Sequence, residues 1–159
     1  IYMRAALEAY GDDRRAVWLA DSFRGLPKPR PQHAADAQDL HWAQTALMVP
    51  LEEVKANFER YDLLDERVRF LVGWFADTLP AAPVDALSLL RADGDMYGST
   101  MDILGSLYDR VSVGGFVVID DYGAIPGCKI ATDEFRSARG IEEPLERIDW
   151  TGVYWRRVR

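Results

Sequence analysis

The chain has 159 residues, with 26 acidic side chains against 19 basic ones and a formal charge of -7. That balance disfavours nucleic acid as the main partner, because phosphate recognition needs clustered Lys and Arg. No apolar run reaches the roughly 20 residues that cross a bilayer. Cys128 is the only cysteine, which excludes an internal disulfide and a zinc cluster and fits a reducing, cytoplasmic setting. The length and the 48% hydrophobic share suit one globular domain over residues 1–159.

Helical spacing of Met3, Ala6, Leu7 and Tyr10 predicts a helix over residues 1–10, closed by Gly11. A helix already under way at Ile1 is expected to have further chain before it. RRAVWLAD reads as a buried strand ending at Asp21. The stretch from Ser22 to Pro50 is irregular and proline-rich, with a short helix expected near residues 36–46, and loops of that length usually carry function. LEEVKANFERYDLL predicts an amphipathic helix with Leu51, Val54, Phe58 and Tyr61 on one face.

RVRFLVGW and VDALSLLRAD are the next two strands, and the second runs into Asp93-Gly94-Asp95. STMDILGSLYDRV predicts a helix capped by Ser99 or Thr100. VGGFVVIDDYG reads as a Gly114-Gly115 turn and a strand ending in Asp120-Asp121. IATDEFRSARG is a helix closed by Gly140, and LERIDW and GVYWRRV form an antiparallel pair at the end. Strands alternating with helices predict an α/β fold with a mostly parallel sheet, whose ligands bind at the carboxyl ends of the strands.

The acidic residues Asp21, Asp93, Asp95, Asp120 and Asp121 all fall at such ends. Three carboxylates converging there repel one another unless a cation neutralises them. An oxygen-only set suits Mg²⁺ better than zinc, and such an ion can acidify and orient a substrate hydroxyl. The competing reading is that these residues cap helices or form Asx turns. His33 and His41, the only histidines, both sit in the long loop, which leaves a Ser-His-Asp triad poorly supported. Trp42, Trp74 and Tyr97 are the aromatic candidates for a ligand surface.

VWLADSFRGLPKP, LEEVKANFERYDLLDERVRFLVGWFADTLP, LLRADGDMYGSTMDILGSLYDRVSVGGFVVIDDYG and IDWTGVYWRR together resemble the macrocin O-methyltransferase family. The resemblance covers nearly the whole chain. It implies a Rossmann-like class I methyltransferase that uses S-adenosylmethionine and Mg²⁺ to methylate a sugar hydroxyl of an antibiotic such as a macrolide. By position, Asp93, Asp120 and Asp121 are implied metal ligands, with Asp93 also the base. Asp21 and Ser22 are implied to hold the cofactor ribose, Gly73 and Trp74 to lie near the adenine, and Tyr97 to shape the substrate pocket. The family's first strand and the glycine-rich loop after it have no counterpart here, so the chain reads as the C-terminal portion of a longer enzyme. Gly98 stands where relatives usually carry an acidic residue. The expected partner is a small-molecule glycoside, with homo-oligomer formation left open. Two other readings stay open: a metal-dependent glycosyltransferase built on the Asp93-Gly94-Asp95 pattern, and a truncated binding or dimerisation module without catalysis.

Overall fold

The computed structural model describes all 159 residues. Helix α1 (Tyr2–Ala9) leads to strand β1 (Val17–Asp21), and the long loop then carries only three single 3₁₀ turns, at 34–36, 41–43 and 45–47. These replace the short helix expected there. Helix α2 (Leu51–Arg60) precedes β2 (Val68–Val72), and a one-turn helix α3 (Phe75–Thr78) precedes β3 (Leu87–Ala92). Helix α4 (Tyr97–Leu107), strand β4 (Val111–Ile119), helix α5 (Pro126–Ala138) and strands β5 (Glu146–Arg147) and β6 (Val153–Arg156) complete the chain. Gly11 and Gly140 follow α1 and α5 with φ of 66° and 60°, the left-handed conformation that ends a helix.

The strands form two sheets. β1 pairs in parallel with β2, from Val17 opposite Val68 to Asp21 opposite Val72. The second sheet has the order β3-β4-β6-β5, with β3 and β4 parallel and the last two pairings antiparallel. The mixed, mostly parallel architecture and the terminal antiparallel pair agree with the sequence reading. Gly114 and Gly115 do not form a turn between helix and strand. They lie inside β4, where the partner of β3 slips from Leu87 opposite Val111 to Leu89 opposite Phe116. Gly114 takes a φ of 87° there, and a Cβ on Gly115 would approach the Ser112 carbonyl oxygen to 2.8 Å. The pair therefore absorbs extra residues in the parallel ladder.

The larger core lies between the four-stranded sheet and helices α4 and α5, around Leu90, Leu104, Ile119, Phe135 and Trp155. A smaller one joins Phe58 of α2 to Leu63 and Val68. Between β1 and β3, each of which is paired on one side only, runs a cavity of about 740 Å³. Its walls are mainly apolar and include Val17, Leu19, Leu79, Leu87, Leu89 and Leu107.

Polar contacts tie α1 to the start of β2. Arg4 is only 3% exposed, and its Nη2 donates to Asp65 Oδ2 at 2.6 Å while Arg67 Nη2 reaches the same oxygen at 3.1 Å. The Arg4 guanidinium, helped by Arg67, holds the Asp65 carboxyl well below the usual carboxylate range. A carboxyl depressed in the folded state contributes stability above its unfolded pKa of about 3.9 and loses it as pH falls toward the folded value. Asp65→Asn is therefore expected to lower the melting temperature at pH 7. In thermal melts, the gap between variant and wild type should narrow as the pH drops below about 4.

Candidate active site

Register brings the acidic residues together. Ala92 and Ile119 are partners in the β3–β4 ladder, and the Asp120 N–H donates to the Ala92 carbonyl at 3.0 Å. Asp93 and Asp120 thus leave adjacent strands side by side. One carboxylate oxygen from each of Asp93, Asp120 and Asp121 can be chosen so that all three lie within 4.8 Å of one another. The convergence expected from the sequence is present.

A cation the sequence reading did not name sits against them. Arg91 Nη1 donates to Asp93 Oδ2 at 2.6 Å, and Nη2 lies 2.8 Å from Asp120 Oδ2. Asp121 receives no such help, and its Oδ2 is buried without a hydrogen-bond partner. Burial first, then the charges of Asp95, Asp93 and Asp120, push its carboxyl up to about 7. Burial and the charge of Asp93 also raise the Asp95 carboxyl, while His41 on the loop opposes the shift. Asp95 is half-buried and held at a φ of 54°, a left-handed conformation uncommon for a residue with a side chain. An all-carboxylate set with an orphaned buried oxygen fits a hard divalent cation, which needs oxygen ligands and an excess of negative charge.

Beside this corner lies a cavity of about 220 Å³, walled by Asp21, Ser22, Trp74, Asp93, Met96 and Ser99. It joins the tip of β1, the tip of β2 and the start of α4. Asp21 Oδ1 accepts the Phe23 N–H at 2.6 Å, and Ser22 Oγ donates to the Gly25 carbonyl at 2.7 Å. Asp21 therefore makes the Asx turn of the competing reading and still faces the cavity. Trp74 lines the cavity, but Gly73 does not. Gly73 has a φ of 145°, and a Cβ there would lie 2.6 Å from Thr78 Cγ2, so its role is to let the chain turn into α3. Tyr97 lies outside the walls of this cavity. Its hydroxyl donates to Glu134 Oε2 at 2.6 Å, and its ring packs against His33 at 5.2 Å between centroids.

The start of α4 differs from the sequence expectation. Neither Ser99 nor Thr100 caps it. Both are buried inside the helix, whose N-cap is Met96. The cap comes from Asp36 of the long loop, which is 1% exposed. Its Oδ1 accepts the Tyr97 N–H at 2.7 Å and its Oδ2 the Gly98 N–H at 2.9 Å. A carboxylate there satisfies two amides without intrahelical partners and meets the positive end of the helix dipole. Small neighbours admit the loop. A Cβ on Gly127 would stand 3.0 Å from Asp36 Oδ1, and one on Gly98 would stand 2.8 Å from Arg30 Nη2. Arg30 in turn bonds Asp102 of α4 at 2.7 Å. Further along the loop, His41 Nδ1 pairs with Asp39 at 2.9 Å.

The model of the macrocin-O-methyltransferase (TylF) family matches residues 1–157. The chain belongs to this family. Among similar proteins, the 8-demethyl-8-(2,3-dimethoxy-alpha-L-rhamnosyl)-tetracenomycin-C 4'-O-methyltransferase of Streptomyces olivaceus is 54% identical, covering 99% of this chain and 61% of that protein. The demethyldecarbamoylnovobiocin O-methyltransferase of Streptomyces niveus is 52% identical, covering 100% of this chain and 62% of its own length. The solved structure of the O-methyltransferase NovP superposes with a TM-score of 0.95 at 52% identity, over 99% of this chain and 66% of that one. The calicheamicin methyltransferase CalS11 shares the fold, with a TM-score of 0.73 at 18% identity over 97% of this chain and 65% of its own. The chain thus spans about three-fifths of the length of the curated relatives. Membership of the macrocin O-methyltransferase family sets Asp93-Gly94-Asp95 in a methyltransferase context rather than a glycosyltransferase one. No helix is long and apolar enough to cross a membrane.

The Asp36 cap yields a test. Asp36→Ala is expected to cost about 1–2 kcal/mol in chemical denaturation, the upper range for a lost helix cap. Asp36→Asn keeps an acceptor for one amide and should recover part of the loss. Equal stability of all three proteins would remove the cap from the account.

Proposed function

We propose that this chain carries the acidic centre and part of the cofactor pocket of an S-adenosylmethionine-dependent enzyme that methylates a sugar hydroxyl of an antibiotic glycoside. The reading rests above all on Asp93, Asp120 and Asp121 converging beside a cavity that Asp21 also faces. Asp21 Oδ2, left free by the Asx turn, suits a ribose diol, and Ser22 fixes the turn that aims it. Trp74 offers an aromatic wall for the adenine, and Gly73 sets the direction of the chain at that point. Asp93, Asp120 and Asp121 are the residues to hold a divalent cation, with Mg²⁺ the natural choice for oxygen ligands. When bound, S-adenosylmethionine supplies an electrophilic methyl group, and the metal a Lewis acid beside the acceptor oxygen.

Asp93 would take the hydroxyl proton as the acceptor oxygen bonds to the methyl carbon and the carbon–sulfur bond breaks, leaving S-adenosylhomocysteine. Asp95 is a second acceptor for that proton: it is half-buried beside the cluster and makes no side-chain ion pair with Arg91. The loop after Asp21, with Tyr97, would shape the space for the glycoside. A cytoplasmic setting suits a chain whose one cysteine, Cys128, is buried and has no partner for an internal disulfide.

Asp120→Ala and Asp93→Asn, each in the full natural protein, are expected to lower methyl transfer from labelled S-adenosylmethionine by more than about 100-fold. Near-normal turnover of either at low Mg²⁺ would overturn the metal role. If Asp95 is the base, Asp95→Asn lowers kcat while Mn²⁺ binding persists. If Asp93 is the base, Asp95→Asn leaves kcat near wild type. Calorimetry with S-adenosylhomocysteine should show binding that Asp21→Ala weakens by about tenfold, the loss of one good hydrogen bond to a charged group.

A further inference from the structure

We infer that Arg91 is an internal counter-ion of the acidic corner, which competes with a divalent cation for Asp93 and Asp120 and so sets how tightly the cation is held. The inference rests on the metal reading above. It adds a residue whose charge opposes the expected ion.

Strand geometry puts Arg91 in place. Side chains two residues apart on a strand share a face, so Arg91 of β3 projects on the same side as Asp93. The neighbouring strand ends one residue before Asp120, in register with the residue between Arg91 and Asp93. One planar guanidinium can therefore reach both carboxylates with separate nitrogens, at 2.6 Å and 2.8 Å. A lysine has a single point of charge and cannot span them in this way.

Charge counting gives the consequence. Asp93, Asp120 and Asp121 carry three negative charges when ionised, and the guanidinium offsets one. Without Arg91 the strand tips would hold mutually repelling carboxylates, and a divalent cation would offset two of the three charges. With Arg91 in place, part of the relief is already present, and the arriving cation also meets a like charge a few ångströms away. Arg91 thus steadies the metal-free corner and weakens metal binding. Its side chain is 40% exposed, so it can swing into solvent when a cation takes over its carboxylates.

The test is Mn²⁺ binding, followed by electron paramagnetic resonance and by the rise in melting temperature on adding Mn²⁺. Wild type, Arg91→Met and Arg91→Lys are compared. Arg91→Met keeps the apolar stem and removes the charge. It is expected to bind Mn²⁺ at least about tenfold more tightly than wild type, with the ratio shrinking in 1 M KCl as screening grows. In EDTA it should melt below wild type, and Mn²⁺ should raise its melting temperature by more. Arg91→Lys should fall between the two. Equal affinities within about threefold, or weaker binding by Arg91→Met, would overturn the counter-ion role while leaving the metal site standing. If neither wild type nor Arg91→Met binds Mn²⁺, the metal reading fails and the inference falls with it.

Discussion

Two amides at the start of α4 donate to one buried carboxylate, Asp36, that arrives from a loop 61 residues earlier in the chain. Much of the candidate site depends on that contact. The same first turn of α4 follows directly from the Asp93–Met96 segment, so the cap fixes the helix and, through it, the tip of β3. It also holds the proline-rich loop against α4, where Arg30 and His33 pack around Gly98. Asp36 itself lines the smaller cavity together with Asp21 and Asp93. One side chain therefore ties the proline-rich loop to the corner where chemistry is proposed.

The acidic corner is governed by a balance of the same kind. Parallel pairing of β3 and β4 forces carboxylates together, and burial keeps water from screening Asp121 fully. The protein answers with Arg91 on one side and leaves an unbonded oxygen on the other. The Arg91 guanidinium offsets part of the repulsion among these carboxylates and leaves Asp121 Oδ2 unpaired.

Much of this was legible in the sequence because it depends on local pattern. Alternating strands and helices, glycines after α1 and α5, and aspartates at strand ends are all short-range signals. What was missed depends on partners far away or on a pattern read too narrowly. Nothing near Asp36 announces that its acceptor oxygens serve a helix 61 residues on, so Ser99 and Thr100, the nearest conventional caps, were the natural expectation. Their burial in the core of α4 shows tertiary packing overriding a local preference. Arg91 could have been found, since a residue two positions before Asp93 on a strand shares its face. The start of α5 at Pro126 was also readable, because proline favours the first turn of a helix. The slip at Gly114-Gly115 was not, since register between strands is invisible in one of them.

The apolar slot between β1 and β3 bears on mechanical coupling. The tips of both strands open onto the cavity of Asp21 and Asp93, yet no ladder of hydrogen bonds joins them. Asp21 on one side and Asp93 and Asp120 on the other thus belong to two separately bonded plates. Their spacing is set by what packs in the gap and by the loop clamp at α4. Whatever packs in the gap meets mainly apolar side chains on both walls, among them Val17, Leu19, Leu87 and Leu89. Side-chain packing in that slot, rather than a hydrogen-bonded ladder, therefore fixes how far Asp21 stands from Asp93.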